Sequence, residues 1–414
     1  MEGTNFFVTC FLRSSAFSLR LGLLLGICTG ILSNASLALG AQWSVEPTFR
    51  SEGQFYDNLR LSTLPHHNVW AMKFSPRVDL SYATEVLTLT ASPKYEFARY
   101  FSADPIERTF NNFFLPLAGT YRTEVDRLGL DTSIHRDNAL LSELAETGLV
   151  TRFIPRTSKN IQGRWDRFVN ERMTVQSSYQ FTDVNYDQKG QNRLFDYQVH
   201  TGTLGAEYQW TEGTNFHSTA FYSNFHSPQT GFRSQTPGVE LGVTHQLFET
   251  VSFSGSGSLR YIRSTVDFNG QRQKNTNLTW LFNMSLDKDW ERSHLTVGYG
   301  RTLSPSGFGV LLVTDRVNFG VDHQFTHALK LTLQGSFTKN DTTAGSSSGR
   351  SRISNSQYWQ GGPALSWRMT EHWSWDLSYR YGLRKNKRSS SGTAHSNNVN
   401  IAMTYTWQKW SVSQ

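Results

Sequence analysis

Seven charged residues lie in segments where every second residue is apolar. They are Glu207, Glu240, Asp287, Asp322, Lys330, Asp376 and Arg380. In a β-strand, alternate side chains point to opposite faces, so such charges share the polar face of a sheet. That pattern allows two roles: lining a path for a hydrated solute, or pairing in a structural network of salt bridges.

Catalytic and metal chemistry receive little support. The twelve histidines do not fall at a spacing that a metal site or a catalytic triad needs. Both cysteines, Cys10 and Cys28, lie near the amino terminus, in a segment that we expect to be removed. We therefore predict no enzyme activity and no cofactor. A hydrolase, with its site at the rim of the β-barrel that the strand pattern predicts below, is the weaker alternative.

The elements that carry these charges read as a series of β-hairpins. Short polar turns recur at intervals of roughly 40 residues, with a two-residue apolar period on either side. The turns are centred on Glu85, Glu124, Glu171, Glu212, Glu249, Glu291, His327 and Glu371. Eight hairpins, one strand from about Trp43 to Gln54 and one from about Asn397 to Trp410 predict an all-β, antiparallel, up-and-down transmembrane barrel of about 18 strands. Sixteen strands is the alternative, because the pairs around Glu85 and Glu124 are less regular.

Composition favours a barrel in a membrane over a soluble core. Only 37% of the 414 residues are hydrophobic, whereas 14% are aromatic. A transmembrane barrel faces lipid outside and water inside, so it needs polar residues at half of its strand positions and aromatic residues at the interfaces. We expect short periplasmic turns, long extracellular loops and a location in the outer membrane of a Gram-negative cell. Barrel assembly machinery and membrane lipid are then partners, and nucleic acid is not.

The first forty residues have the pattern of a signal peptide. Arg13 and Arg20 precede an apolar segment from Leu21 to Leu32, and Ala38-Leu39-Gly40 before Ala41 is a plausible cleavage site. An amino-terminal transmembrane anchor is the weaker alternative, since the apolar segment is shorter than the roughly 20 residues that a span needs. We expect a single barrel domain over residues 41–414.

One connection has a helical pattern. Within residues 138–164, Asn138 can cap a helix on which Leu140, Leu141 and Leu144 share a face. Such a helix either enters the lumen or lies over the barrel mouth. In the lumen, its acidic side chains would oppose basic ones and create a transverse field that selects solutes. The residues concerned are Glu143, Glu146, Arg152, Arg156 and Arg164.

Two predicted loops, 340–352 and 384–397, are rich in serine and basic residues. On the extracellular side they would contact lipopolysaccharide phosphates or an anionic glycan, or remain solvated tips.

Three segments resemble a known family. They read IHRDNALLSELAETGLV (Ile134–Val150), ERMTVQSSYQFTDVNYD (Glu171–Asp187) and LFDYQVHTGTLGAEYQWTEGTNFHSTAFYSNFHSP (Leu194–Pro228). They resemble the outer-membrane barrels associated with exosortase/PEP-CTERM and exopolysaccharide gene clusters and, more loosely, the β-barrel porin group. The resemblance implies a role in exporting or displaying a polysaccharide, together with periplasmic export proteins. A pore for a hydrophilic solute and a plugged barrel that docks such partners both remain open.

Overall fold

The computed structural model describes residues 41–63, 65–102, 109–140, 142–143, 153–187, 194–268, 271–342, 356–386 and 392–413. The predicted signal peptide, residues 1–40, lies outside these ranges and stays a prediction. Within them, no helix is long and apolar enough to cross a membrane.

The described chain forms twenty strand segments, one 3₁₀ turn, Pro228–Thr230, and a helix start at residues 139–140 and 142–143. The segments are β1 (Gln42–Tyr56), β2 (Val69–Ala83), β3 (Leu87–Ala91), β4 (Lys94–Phe101), β5 (Thr109–Arg122), β6 (Asp126–Asn138), β7 (Pro155–Asn170), β8 (Met173–Tyr186), β9 (Tyr197–Thr211), β10 (Thr214–Ser227), β11 (Phe232–Phe248), β12 (Val251–Phe268), β13 (Gln271–Asp289), β14 (Ser293–Ser306), β15 (Val310–Gln324), β16 (Leu329–Thr342), β17 (Ser356–Arg368), β18 (Trp373–Asn386), β19 (Thr393–Thr406) and β20 (Trp410–Ser413).

These segments close into one antiparallel barrel of 18 strands. β3 and β4 are a single strand interrupted at Ser92 and Pro93, since both pair with β2 and with β5. β19 and β20 are likewise one strand, because both pair with β1 and so close the barrel. The predicted fold class and strand number are confirmed, and the alternative of 16 strands is excluded.

All eight predicted turns connect consecutive strands at one end of the barrel. Glu171 lies between β7 and β8, and Glu371 lies between β17 and β18. Backbone hydrogen bonds close these turns; for example, the Trp290 amide donates to the Ser293 carbonyl at 2.8 Å. The connection between β1 and β2, described at residues 57–63 and 65–68, is longer and lies at the opposite end.

The two faces of the wall differ as the sequence alternation requires. Large apolar side chains point outward and are exposed; Leu241 is 66% and Trp280 67% exposed. Polar residues alternate with them and face the interior, and paired residues of adjacent strands share a face. Exposed apolar belts of this extent are stable against lipid rather than water, so the barrel is a transmembrane barrel.

A pair of neighbouring positions on β16 tests this assignment of faces. Leu333 points outward and is 42% exposed, whereas Gln334 points inward, opposite Gly320 and Gly362. We expect Leu333→Arg to lower the free energy of unfolding in lipid vesicles by roughly 2–4 kcal/mol, because the charge enters the hydrocarbon. Gln334→Arg is the matched control and should have little effect. Equal losses in a urea titration would show that the faces are assigned wrongly.

Candidate lumen constriction and pocket

The register places all seven predicted lumen charges on the inward face. Glu240 lies opposite Ser258, and Asp376 lies opposite Ser366. Glu207, Asp287, Asp322, Lys330 and Arg380 also pair with residues of the polar face. Their role in permeation stays a prediction.

Several of these charges are paired along the wall. Asp322 lies 3.1 Å from Lys330, and Asp376 lies 2.6 Å from Arg50. Asp287 lies 3.8 Å from His294, and Gln176 donates a hydrogen bond to Glu207 at 3.2 Å. The predicted network of salt bridges and the predicted polar lining are therefore compatible, since paired side chains still present polar atoms to the lumen.

β14 parts from β13 near its end, and the end of the β14–β15 hairpin enters the lumen. β13 and β14 pair only up to Phe282 and Arg301, although β13 continues to Gln271 in contact with β12. Beyond Arg301, β14 pairs with β15 alone. β13 and β14 thus part beyond Arg301, whereas β15 stays paired with β16 up to Leu312. The end of the hairpin, residues 304–313 (hereafter the tip), can therefore fold inward.

The tip is buried although it is a hairpin end. Val310 and Leu312 are fully buried, and Leu311 is 5% exposed. Leu311 packs in an apolar cluster with Val184, Tyr197, Phe225 and Phe232, which are inward-facing residues of β8–β11. A hairpin end that packs on inward wall residues of β8–β11 lies inside the barrel and narrows its lumen.

Hydrogen bonds to its backbone carbonyl groups fix the tip to neighbouring loops. The Phe195 amide donates to the Gly307 carbonyl at 2.6 Å, and the Thr230 hydroxyl donates to the Gly309 carbonyl at 3.4 Å. Gly309 has a φ of 72°, and a Cβ there would lie 2.6 Å from the Thr230 methyl group. Only glycine therefore suits both the backbone conformation and the space.

Gly309→Ala should detach the tip. Gly392 is a matched control, because it has the same φ of 72° but a Cβ added there would meet no atom within 4 Å. Both substitutions cost about 1–2 kcal/mol in the left-handed backbone region. Only Gly309→Ala adds a steric clash, so hydrogen exchange at residues 304–313 should accelerate in that variant and not in Gly392→Ala. Unchanged exchange in Gly309→Ala would contradict the packing described.

The predicted helix begins inside the barrel. Residues 139–140 and 142–143 are helical, and the Leu140 amide donates to the Asn138 side chain at 3.0 Å, as an N-cap requires. Leu140 packs in a second apolar cluster with Ala71, Tyr100 and Phe110, whose side chains face inward. Ala139 belongs to the cluster that holds Leu311. The start of the helix therefore joins two parts of the wall through the lumen.

A buried polar network connects this helix to the tip. Arg156 donates two hydrogen bonds to Asp137, at 3.1 and 3.0 Å, and lies 3.9 Å from Glu143. The Tyr186 hydroxyl donates to Glu143. Gly307 of the tip lies against both Tyr186 and Glu143. The network thus holds the helix start, β7, β8 and the tip together.

This arrangement differs from the predicted transverse field. Glu143 and Arg156 are adjacent and compensate each other, so they do not face one another across the lumen. Arg164 lies on the wall, where it pairs with Asp131 at 2.6 Å. Glu146 and Arg152 lie outside the described residues.

The basic residues of the two predicted serine-rich loops fall into two groups. Arg384 belongs to β18 and donates to the Leu61 carbonyl. The others, Arg350, Arg352, Lys387 and Arg388, lie outside the described residues.

A cavity of about 380 Å³ lies where β13 and β14 part. Leu281 and Asn283 of β13, and Arg301, Leu303 and Pro305 of β14, contribute to its lining, together with inward residues of β8–β12. The described residues contain no group of three His, Cys, Asp or Glu side chains arranged to hold a metal ion. Neither the tip nor this cavity was predicted from the sequence; the available signal was the apolar run Phe308–Val313, which breaks the strand alternation.

A closed antiparallel barrel of even strand number, with a lipid-facing apolar belt and a polar interior, defines an outer-membrane β-barrel protein. The protein is therefore located in the outer membrane of a Gram-negative cell. No protein-family profile matches the chain, and no curated protein matches it.

Several solved structures align with most of this chain. The chain is similar to Acinetobacter baumannii OccAB2, with 16% identity and a TM-score of 0.47 over 88% of this chain and 98% of that one. Pseudomonas aeruginosa OccK2 (OpdF), solved in complex with glucuronate, has 10% identity and a TM-score of 0.47 over 89% of this chain and 98% of that one. The Pseudomonas aeruginosa outer membrane protein OpdK has 9% identity and a TM-score of 0.46 over 88% of this chain and 99% of that one. At these identities and TM-scores, the similarities add no argument to the barrel's own geometry.

Proposed function

We propose that the protein is a pore for hydrophilic solutes, narrowed by the tip and by the start of the helix. The observation that carries this proposal is the polar, charged inward face that runs around an 18-strand wall. A barrel of this size is wide enough for an aqueous channel unless segments fold into it. The tip is such a segment, so it would set the size limit for solutes.

The lining favours hydrated solutes over apolar ones. Arg50, Lys330, Asp322 and Asp376 bring both signs of charge to the inward face. A hydrated solute can exchange its water for these groups, whereas an apolar solute would strip them of water without replacing the lost hydrogen bonds. Export of an exopolysaccharide is the finer proposal, and the sequence resemblance to exopolysaccharide-associated barrels supports it.

A plugged barrel that docks a surface polysaccharide or periplasmic export proteins is the second candidate. The two apolar clusters inside the barrel favour it, because Ala139 and Leu140 connect them across the interior. Packing of this kind resembles a small core and stabilises the inward segments. In such a barrel the polar lining would serve folding and not transport.

Swelling of liposomes that contain the refolded protein distinguishes the two. A pore predicts swelling in iso-osmotic monosaccharide, with rates that fall as the sugar grows from a monosaccharide to a trisaccharide. Liposomes with heat-inactivated protein provide the baseline. A folded barrel that gives no swelling with any of these sugars would exclude the pore and favour docking.

A further inference from the structure

The cavity at the parting of β13 and β14 is electrostatically compensated. Glu240 lies 3.8 Å from Arg260, and His217 of β10 is 4.0 Å from the same carboxylate. Arg301, the third charged residue of the lining, lies 3.4 Å from Asp315. Each of these charges has a partner of opposite sign, so an ionic ligand would have to compete with an existing pair.

Hydroxyl groups dominate the remaining polar lining. They belong to Thr182, Thr201, Ser223, Thr236, Ser258 and Thr302. A hydroxyl group donates one hydrogen bond and accepts two. Thr182 already donates to Asn160, and Thr201 and Ser223 share one hydrogen bond, so these groups meet a ligand hydroxyl mainly as acceptors. Thr236 and Ser258 are only 2% and 4% exposed, so the hydroxyl groups that a ligand reaches are those of Thr182, Thr201, Ser223 and Thr302.

The tip side of the cavity is apolar. Leu303, Pro305 and Leu311 cover it, opposite the hydroxyl-rich wall. A ligand that fits must therefore present hydroxyl groups in one direction and C–H groups in another. Pyranose rings have this two-sided chemistry, and the volume of about 380 Å³ falls in the range of small-molecule sites.

We propose that this cavity is a binding site for a short, uncharged saccharide. The inference rests on the proposed function, since the lumen gives the saccharide access. Wall hydroxyls and the Glu240–Arg260 pair bind the sugar hydroxyls, and the tip covers one face of the ring. The ion pairs remain intact, so an acidic sugar of equal length binds less well.

Isothermal titration calorimetry on the full-length protein in detergent tests the proposal with two probes, maltotriose and trigalacturonate. The unmodified protein should bind maltotriose about tenfold more tightly, equivalent to 1.4 kcal/mol. Ser223→Trp should abolish binding by filling the cavity. Ser336→Trp is the control, because Ser336 faces inward from β16 and lies outside this lining.

A second variant tests charge compensation independently of fit. Glu240→Gln leaves Arg260 without this carboxylate, so the preference should shift towards trigalacturonate. Glu207→Gln, an inward acid outside this lining, should leave the preference unchanged. Absence of maltotriose binding, or a stronger binding of trigalacturonate to the unmodified protein, would overturn the proposal.

The assay separates this site from the pore, because binding in detergent needs no transport. Liposome swelling without maltotriose binding would reject the saccharide site and leave the pore standing. Binding without swelling would retain the site in a barrel that does not transport.

Discussion

Replacing residues 305–311 with a short Gly-Ser turn raises single-channel conductance severalfold. The tip is buried among inward-facing residues of β8–β11, so its removal opens the part of the lumen that it fills. An 18-strand barrel without such a segment has roughly the width of an aqueous channel, and conductance follows the narrowest section. Planar-bilayer recordings of the variant beside the unmodified protein measure the change.

The matched control for this variant is a Gly-Ser replacement of Thr326–Ala328, an exposed turn at the other end of the barrel. That control should conduct like the unmodified protein. A tip variant that folds normally, as judged by heat-modifiable migration on a gel, and yet conducts no better would show that the tip is not the constriction.

Arg156→Met has the second largest expected effect. Arg156 is 8% exposed, and its removal leaves the buried Glu143 and the part-buried Asp137 without their shared cation. Removing one partner of a buried pair costs roughly 3–5 kcal/mol. We expect a loss of that size in urea unfolding followed by tryptophan fluorescence, together with faster proteolysis near the tip.

Arg164→Met is the control, because Arg164 also pairs with an aspartate of β6 but its side chain is 53% exposed. Exposed pairs contribute about 1 kcal/mol or less. If the two variants lose equal stability, the network around Arg156 does not hold the inward segments in place.

The wall was predictable because its determinants are local. A two-residue apolar period and a polar turn suffice to position strands such as β16 and β18, and both appear in the sequence. The apolar alternation around the Glu85 turn is less regular, and this also has a local cause. Pro93 has no amide hydrogen, so it interrupts the ladder between β3 and β4.

The inward segments depend on contacts between distant parts of the chain. Asn138 indicated a helix start, and the helix start is there, but no local signal showed that Leu140 would meet Tyr100. Likewise, alternation assigns Arg301 to the outward phase. It lines the cavity because β14 leaves the wall there, which follows from packing of the tip and not from the strand's own sequence.

The partners of the lumen charges were also beyond prediction. Alternation gives the face of Glu240 and Asp376 but not the register of the neighbouring strands, which decides that they meet Arg260 and Arg50. Glu143 and Arg156 show the same limit. Their opposite charges suggested a field across the lumen, whereas the fold makes them neighbours.

Single-channel recording with cysteine modification tests the central claim most directly. The native Cys10 and Cys28 both precede residue 41, so we use variants of the chain from Ala41 onward. We predict steady openings, and a fall in cation conductance when a trimethylammonium thiosulfonate reagent modifies Gln334→Cys, which faces the lumen. Leu333→Cys, which faces lipid, should not respond. A folded barrel that stays electrically silent, or equal responses at the two positions, would contradict a pore through this lumen.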